Sequence, residues 1–336
     1  MRRRRRRGAP GPTFYKLAAL LLATAAIAAW GRYGSIGGML RAAAARFSGE
    51  DMTVTVPESA PPIPAAGETA QETAAESAGL FGRRDREAPK TEPVEEPYAP
   101  EVRNDTAFVL EEEAIPSGGI RLTAGDVPQV LIVHTHTSEA YAPDEIYSYE
   151  QDDNDRTLDP RFNVVAVGDL VEAQLEKAGI AVLHERAIND YPSYNGSYTR
   201  MLGVIEDYLA EYPSISVVLD IHRDAMIYPD GSRFAPRADI GGESTAQVML
   251  VVGTDEGGLS HPGWRENLAF ALAIQRRADE LYPGLMRPVN LRASRFNQHV
   301  SPGALIVEVG SSGNTLGEAL RGAELFTEAL IGTILA

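Results

Sequence analysis

The chain contains no cysteine, and this absence removes several chemistries at once. Disulfide bridges, thiolate metal ligands and a cysteine nucleophile are all excluded. Any metal site has to use histidine, aspartate and glutamate, a donor set that suits zinc. A serine nucleophile is also disfavoured, because neither Ser138 nor Ser311 lies in the G-x-S-x-G elbow of serine hydrolases.

Basic residues are scarce outside the amino terminus. The net charge of the 336 residues is −16, although the first 50 residues hold ten Arg or Lys and one Glu. A nucleic-acid-binding protein needs a basic surface on its folded body. The charge distribution therefore argues against nucleic acid as a partner, and we expect none.

The amino-terminal segment has the pattern of a membrane anchor. A run of arginines at 2–7 precedes the uncharged stretch 17–30. This stretch is shorter than the roughly 20 apolar residues of a full span, but the flanking Phe14, Tyr15 and Trp30 suit the membrane interfaces and extend it. We expect a single-pass anchor in the cell membrane, with the rest of the chain extracytoplasmic. A cleaved signal peptide is the alternative, and it also predicts export.

Composition divides the chain into three parts. Residues 1–48 are predicted to form a cytoplasmic basic tail, the anchor and a juxtamembrane segment. Residues 49–125 are rich in Pro, Glu and Ala and bury too little apolar surface to fold, so they are predicted to be a linker. Residues 126–336 alternate β-rich runs with amphipathic helices, which predicts one α/β domain, a three-layer sandwich with a largely parallel, mixed central sheet.

The first candidate cluster is His134, His136 and Glu139, at the carboxyl end of the predicted strand 129–136. Ligands and catalytic groups of α/β folds collect where strands end. The three-residue spacing of His136 and Glu139 lets both side chains reach one metal ion. His134 is an alternative ligand, or a partner that fixes the tautomer of a ligand.

The second cluster, Asp220, His222 and Arg223, ends the predicted strand 216–222. His222 is predicted to be the third metal ligand, and Asp220 can orient it because both lie on the same strand face. Arg223 is a candidate for polarising a carbonyl or holding a substrate carboxylate. Three protein ligands leave an open position at the metal, as catalytic zinc requires.

The third candidate is Glu308, inside the apolar strand 304–310. A carboxylate there costs several kcal/mol unless it is paired or used. Burial raises the pKa of such a group, which suits a general base, whereas the structural alternative is a salt bridge to an arginine. Asn297 and Gln298 precede this strand and are candidate substrate-binding residues. His184 and His261 are interpreted as surface or loop residues without a function.

Four segments together resemble the stage II sporulation protein P family. They are HTHTSEAY, FNVVAVGDLVEAQLEKAGI, DIHRDA and FNQHVSPGALIVEVGSSGNTLGEAL, and they occur in the family's order over residues 128–332. The resemblance implies a zinc-dependent N-acetylmuramoyl-L-alanine amidase that degrades peptidoglycan during sporulation, at the septal thinning of engulfment. It implies a fold like that of the zinc cell-wall amidases and the zinc carboxypeptidases. It also implies that the protein acts together with stage II sporulation proteins D and M.

The resemblance also assigns roles to residues. His134 or His136, Glu139 and His222 match the family's metal positions, and Glu308 matches its catalytic glutamate. Related amidases take a glutamate ligand from farther downstream, which leaves Asp159 as an alternative to Glu139. Two alternative functions stay open, a zinc endopeptidase that cuts peptide cross-links and a non-catalytic domain that binds cell wall and recruits other hydrolases.

Overall fold

A computed structural model describes residues 101–111, 115–116, 119–149 and 155–335. The predicted anchor and most of the predicted linker lie outside these residues. In the described part of the chain, no helix is both long and apolar enough to cross a membrane.

A seven-stranded mixed sheet forms the centre of the domain, in the order β1-β8-β7-β9-β4-β2-β3. Its strands are β1 (Val102–Asn104), β2 (Gly125–Val133), β3 (Ile180–His184), β4 (Val217–Asp224), β7 (Val248–Gly253), β8 (Val289–Arg292) and β9 (Gly303–Ser311). A separate hairpin pairs β5 (Arg237–Ile240) with β6 (Glu243–Ala246). Neighbouring strands are parallel except β7 and β9, so two parallel blocks of opposite direction meet there.

Helices cover both faces of the sheet, which confirms the predicted sandwich. The helices are α1 (Val164–Lys177), α2 (Ser197–Glu211), α3 (Trp264–Leu281) and α4 (Leu316–Ile334). Along β2, Val130 and Ile132 pack into the core formed with α1, α3 and α4, whereas Leu131 and Val133 pack against α2. This alternation is the period of two expected when both faces of a strand are buried.

The folded domain begins earlier than the predicted boundary at residue 126. Strand β1 lies inside the predicted linker, yet it pairs in parallel with β8 at the edge of the sheet. Phe108 also lies in that segment, and its ring centroid is 5.2 Å from that of Trp264. A three-residue edge strand is held mainly by backbone hydrogen bonds, so its amino-acid composition does not distinguish it from a linker.

The ends of two helices match the sequence signals. Gly179 follows α1 with a φ of +83°, the left-handed conformation that glycine adopts at helix ends. At the start of α4, the Thr315 side chain accepts a hydrogen bond from the Glu318 N–H, and the Glu318 side chain accepts one from the Thr315 N–H. These two reciprocal hydrogen bonds form a capping box.

Thr315→Ala should destabilise the domain, because it removes the acceptor for the Glu318 N–H. We expect a loss of about 1 kcal/mol and a melting temperature lower by roughly 2–4 °C, measured by circular dichroism. Thr315→Ser is the matched control, since it keeps the hydroxyl. Equal melting temperatures for the alanine and serine variants would show that the cap contributes nothing.

Candidate metal centre

Three adjacent strands, β2, β4 and β9, bring the candidate residues together at their carboxyl-terminal ends. They run parallel, so their carboxyl-terminal ends point the same way. Val133, the last residue of β2, pairs with Asp220, and His222 pairs with Glu308 on β9. The sequence ends β2 here because a short turn with hydrogen bonds of its own follows. Its Thr135 N–H and hydroxyl donate to the two Asp220 carboxylate oxygens at 2.8 and 2.6 Å.

His136, Glu139 and His222 come together at these strand ends. Glu139 Oε2 lies 3.4 Å from His222 Nδ1, and the ring centroids of His136 and His222 are 5.4 Å apart. All three residues are buried, with at most 6% of their surface exposed. The two predicted clusters therefore form one compact group of two imidazoles and one carboxylate.

His136 and Glu139 have the charges that binding of a divalent cation requires. Burial lowers the pKa of His136 to about 3, so its ring is neutral, and its buried Nδ1 has no hydrogen-bond partner among the described residues. Burial opposes the charge on Glu139, but a hydrogen bond from His222 and the Arg223 charge outweigh it and hold the pKa of Glu139 well below its usual range. A neutral imidazole and an ionised carboxylate are both ready to ligate a metal.

His222 carries the positive charge of the group. Its Nδ1 faces Glu139, and its Nε2 lies 3.0 Å from Asp220 Oδ1. Burial opposes a charge on the ring, yet the Asp220 and Glu139 carboxylates raise the pKa of His222 well above its usual value. Two buried carboxylates thus attract a cation at this point, and a bound metal ion would take the place of the proton.

Glu308 lies beside this group in the neighbouring strand. Burial and the Asp224 charge raise its pKa to about 8, although His222 opposes the shift. Its Oε2 is buried without a hydrogen bond from the described residues. The nearby Arg287 pairs with Asp224 Oδ2 at 2.9 Å, and no arginine among the described residues forms the alternative salt bridge to Glu308. A carboxyl group with this pKa can take up and release a proton near neutral pH.

His134 stays outside the group. Its Nδ1 is 3.0 Å from the Ile221 carbonyl oxygen, and its Nε2 is 2.8 Å from His184 Nε2. Both ring nitrogens are therefore engaged, and His136 is the histidine of the turn that faces Glu139 and His222. The interpretation of His184 as a surface or loop residue is wrong, because it ends β3 and its side chain is buried, whereas His261 lies in a loop as expected, although it is buried there. The His184 side chain is fully buried, and the buried His261 ring contacts Asn267.

Arg223 forms hydrogen bonds with other groups of the protein. Its guanidinium donates to the carbonyl oxygens of Ala140 and Asp155 at 2.9 Å each, and its backbone N–H donates to Glu139 Oε2 at 3.2 Å. It therefore holds the turn that carries Glu139. Asp159, the alternative acidic ligand, has its carboxylate on the Arg161 guanidinium instead.

Asn297 and Gln298 use their side-chain amides within the protein. Asn297 donates to the Tyr198 carbonyl, and Gln298 bonds both the Val251 carbonyl and the Gly253 N–H at the end of β7. Because β7 is antiparallel to β9, Gln298 lies where β9 begins, away from the edge with His222. These contacts secure the loop, and the predicted substrate contact stays a prediction.

Sequence reasoning missed two residues of the centre, Tyr194 and Arg156. The Tyr194 ring stacks on His136 at 4.4 Å with an interplanar angle of 8°. Arg156 lies 4.9 Å above the Tyr194 ring, contacts Glu139 Oε1 at 3.6 Å and bonds Asp190 Oδ2 at 2.5 Å. Both residues lie in loops without periodicity, so no pattern in the sequence indicates them.

Removing the Tyr194 ring should loosen the metal centre. Aromatic stacking contributes about 0.5–1.5 kcal/mol, so we expect Tyr194→Ala to weaken zinc binding by roughly 2- to 10-fold. Tyr194→Phe keeps the ring and should bind zinc like the unmodified protein. Competition with a chromogenic chelator measures both affinities, and equal weakening by the two substitutions would contradict a stacking role.

Comparison with known families places the sequence among sporulation proteins. Residues 39–331 match the family described as stage II sporulation protein P (SpoIIP). Stage II sporulation protein P of Bacillus subtilis (strain 168) is 31% identical over 216 residues, which cover 60% of this chain and 50% of that protein. The chain thus spans about half the length of the curated relative that it matches.

Two of the solved structures that the chain is similar to are amidases by their titles. The N-acetylmuramoyl-L-alanine amidase from Clostridium difficile 630 is 13% identical, with a TM-score of 0.36, and the match covers 62% of this chain and 95% of that chain. The apo form of the N-acetylmuramyl-L-alanine amidase Ami1 from Mycobacterium abscessus is 13% identical, with a TM-score of 0.37 and coverage of 61% and 96%.

Proposed function

The chain belongs to the stage II sporulation protein P family, and from this premise we propose that it is a zinc-dependent N-acetylmuramoyl-L-alanine amidase that degrades peptidoglycan during sporulation. The reaction class rests on one observation, the convergence of His136, Glu139 and His222 beside Glu308 at the carboxyl ends of three parallel strands. The substrate rests on the family resemblance.

The residues of the centre fit zinc. Two imidazoles and one carboxylate are a known ligand set of catalytic zinc sites, and they leave a position for water or substrate. His136 offers a buried nitrogen without a partner, and Glu139 is ionised. When bound, zinc supplies a Lewis acid that polarises the scissile carbonyl and lowers the pKa of water.

Glu308 moves the proton in the proposed reaction. With a pKa of about 8, its carboxylate accepts the proton of the attacking water and returns it to the leaving amine of L-alanine. Asp224 contributes by disfavouring the charge on Glu308, and Arg287 holds Asp224 in place. Arg223 supports the reaction through Glu139, whose turn it fixes, rather than by touching the substrate.

Product analysis tests the proposal. Purified peptidoglycan is digested with the zinc-loaded full chain, and soluble products are identified by mass spectrometry. An amidase releases stem peptides with a free L-alanine amine and leaves intact glycan. Cleaved cross-links with peptides still attached to glycan would instead establish the endopeptidase, and binding without release would establish the recruiter.

The proposal includes an exported location. The arginine run and the apolar stretch 17–30 support a membrane anchor that leaves residues 126–336 on the outer side, next to peptidoglycan. The family resemblance adds stage II sporulation proteins D and M as partners. Protease added to intact protoplasts should degrade the catalytic domain, and full protection of that domain would contradict export.

A further inference from the structure

A short antiparallel bridge places Arg156 directly opposite the proposed ligand Glu139. One of the backbone hydrogen bonds beside this bridge runs from the Ala140 N–H to the Asp155 carbonyl oxygen, at 3.0 Å. Residues that face each other in an antiparallel pair have neighbouring side chains. The backbone itself therefore brings the Arg156 guanidinium to the Glu139 carboxylate.

The conformation of this segment is fixed at Asp155, the residue before Arg156. Asp155 is buried and has a φ of +59°, a left-handed conformation that persists in a residue other than glycine only when its surroundings hold it. Arg233 holds both oxygens of the Asp155 carboxylate, at 2.6 and 2.5 Å, and the Arg223 guanidinium donates to the Asp155 carbonyl at 2.9 Å. These contacts fix the position from which the Arg156 side chain extends.

The Arg156 guanidinium spans two carboxylates. Its Nη1 donates to Asp190 Oδ2 at 2.5 Å and to Ser138 Oγ at 3.0 Å, while its Nη2 lies 3.6 Å from Glu139 Oε1. The Asp190 side chain is fully buried, and it also accepts hydrogen bonds from the Ser138 N–H at 3.0 Å and hydroxyl at 2.7 Å. An arginine side chain has only donors and keeps its charge, so its hydrogen bonds run in one direction.

The two oxygens of Glu139 have different partners. Oε1 faces Arg156, whereas Oε2 accepts a hydrogen bond from the Arg223 backbone N–H at 3.2 Å and lies 3.4 Å from His222 Nδ1. The oxygen on the side of the second proposed ligand is therefore Oε2. The carboxylate is held from both sides, with one oxygen for Arg156 and the other for the centre.

We infer that Arg156 is a positioning residue of the metal centre, which holds Oε1 of Glu139 so that only Oε2 is presented to the metal ion. A ligand that supplies one oxygen leaves the open position that catalytic zinc needs for water. The two arms of the guanidinium are both required, because one binds Asp190 and the other faces Glu139. The inference rests on the proposed function and adds how one of its ligands is oriented.

Arg156→Lys tests the two-armed contact without removing the charge. A lysine ammonium is a single point charge, so it pairs with the buried Asp190 and leaves Glu139 Oε1 without its partner. We expect a melting temperature close to that of the unmodified full chain. Zinc affinity should fall on the order of 10-fold, as it does when other outer partners of metal ligands are removed. Competition with a chromogenic chelator measures the affinity.

Arg161→Lys is the matched control. Arg161 lies in the same loop with 76% of its side chain exposed, and it pairs with Asp159 rather than with the centre. The same change of arginine to lysine at this position should leave zinc affinity unchanged.

Cobalt(II) bound in place of zinc separates positioning from packing. Its visible absorption bands weaken as more atoms coordinate the ion, so they report whether Glu139 supplies one oxygen or two. In Arg156→Lys the released Oε1 joins Oε2 at the metal, and the bands should be weaker than in the unmodified and Arg161→Lys proteins. A loss of packing alone would lower the melting temperature and leave the bands unchanged.

The outcomes distinguish this inference from the proposed function. Unchanged zinc affinity or an unchanged cobalt spectrum in Arg156→Lys would each overturn the positioning role, and so would an affinity that falls only as far as the melting temperature does. Such results, with metal bound by the unmodified chain, would leave the proposed function standing. If the unmodified chain binds neither zinc nor cobalt, the proposed function fails and the inference fails with it.

Discussion

Glu308→Gln should abolish amide hydrolysis and leave zinc binding intact. Glutamine has nearly the same shape, but it cannot take a proton from water. General base catalysis contributes about 10²- to 10⁴-fold, so a loss of at least that size is expected. The proposed ligands His136, Glu139 and His222 are unchanged, so the zinc content should stay at one ion per chain. Release of stem peptides and metal analysis measure the two quantities.

The same substitution should also change how the stability of the metal-free protein depends on pH. The pKa of Glu308 rises from 4.5 to about 8 on folding, so the native state binds the proton more tightly than the unfolded state. The carboxyl group therefore costs no stability below about pH 4.5, and its penalty grows as the pH rises to about 8. Glu308→Gln removes that penalty and should stabilise the protein by roughly 2–4 kcal/mol at pH 8.

Urea denaturation at pH 4 and pH 8 checks this dependence. The variant and the unmodified protein should be equally stable at pH 4 and should differ at pH 8. Equal stability at both pH values would show that Glu308 ionises normally. An active Glu308→Gln variant would refute the proposed base whatever the denaturation curves show.

His222→Ala should remove zinc and destabilise the fold. The ring is one of the three proposed ligands, and it is also the cation between Asp220 and Glu139. Its loss leaves two buried carboxylates facing each other without a positive charge between them, which costs on the order of 3 kcal/mol. We expect no stoichiometric zinc after reconstitution and no peptide release.

The control for this variant is His261→Ala. His261 is also buried, but it contacts Asn267 rather than the centre, so its loss should lower stability without affecting zinc. If the His222 variant still bound one zinc ion with full affinity, His222 would not be a ligand. Zinc content by mass spectrometry and urea denaturation distinguish these outcomes.

Strands and helices could be predicted from the sequence to within a few residues. The apolar runs of the strands and the amphipathic pattern of the helices are both strong in this chain. The strand predicted over 216–222 is found at Val217–Asp224, and the strand predicted over 304–310 at Gly303–Ser311. Buried parallel strands are long apolar runs, and the helices have clear amphipathic periodicity. Strand β1 has neither property, so the start of the domain was placed too late.

The centre was only partly predictable, because its neighbours come from distant loops. Strand ends identified His136 and His222, and a carboxylate inside an apolar strand identified Glu308, which the sheet register pairs with His222. Tyr194 and Arg156 could not be identified, since their roles depend on contacts with His136 and Glu139 across the fold. Asn297 and Gln298 bond backbone groups through their side-chain amides, and their predicted contact with substrate stays a prediction.

Because β7 runs antiparallel to β9, its carboxyl end lies at the end of the sheet opposite the proposed catalytic residues. The proposed catalytic residues all come from the block β9-β4-β2-β3, at one edge of the sheet. Strand β7 ends at the other edge, where Gly258 lies in open space with a φ of +93°. A fluorescent label or a surface-attachment peptide inserted after Gly258 would be carried on the far side. Such a handle would let single molecules be immobilised on glass with the site facing an applied cell-wall fragment.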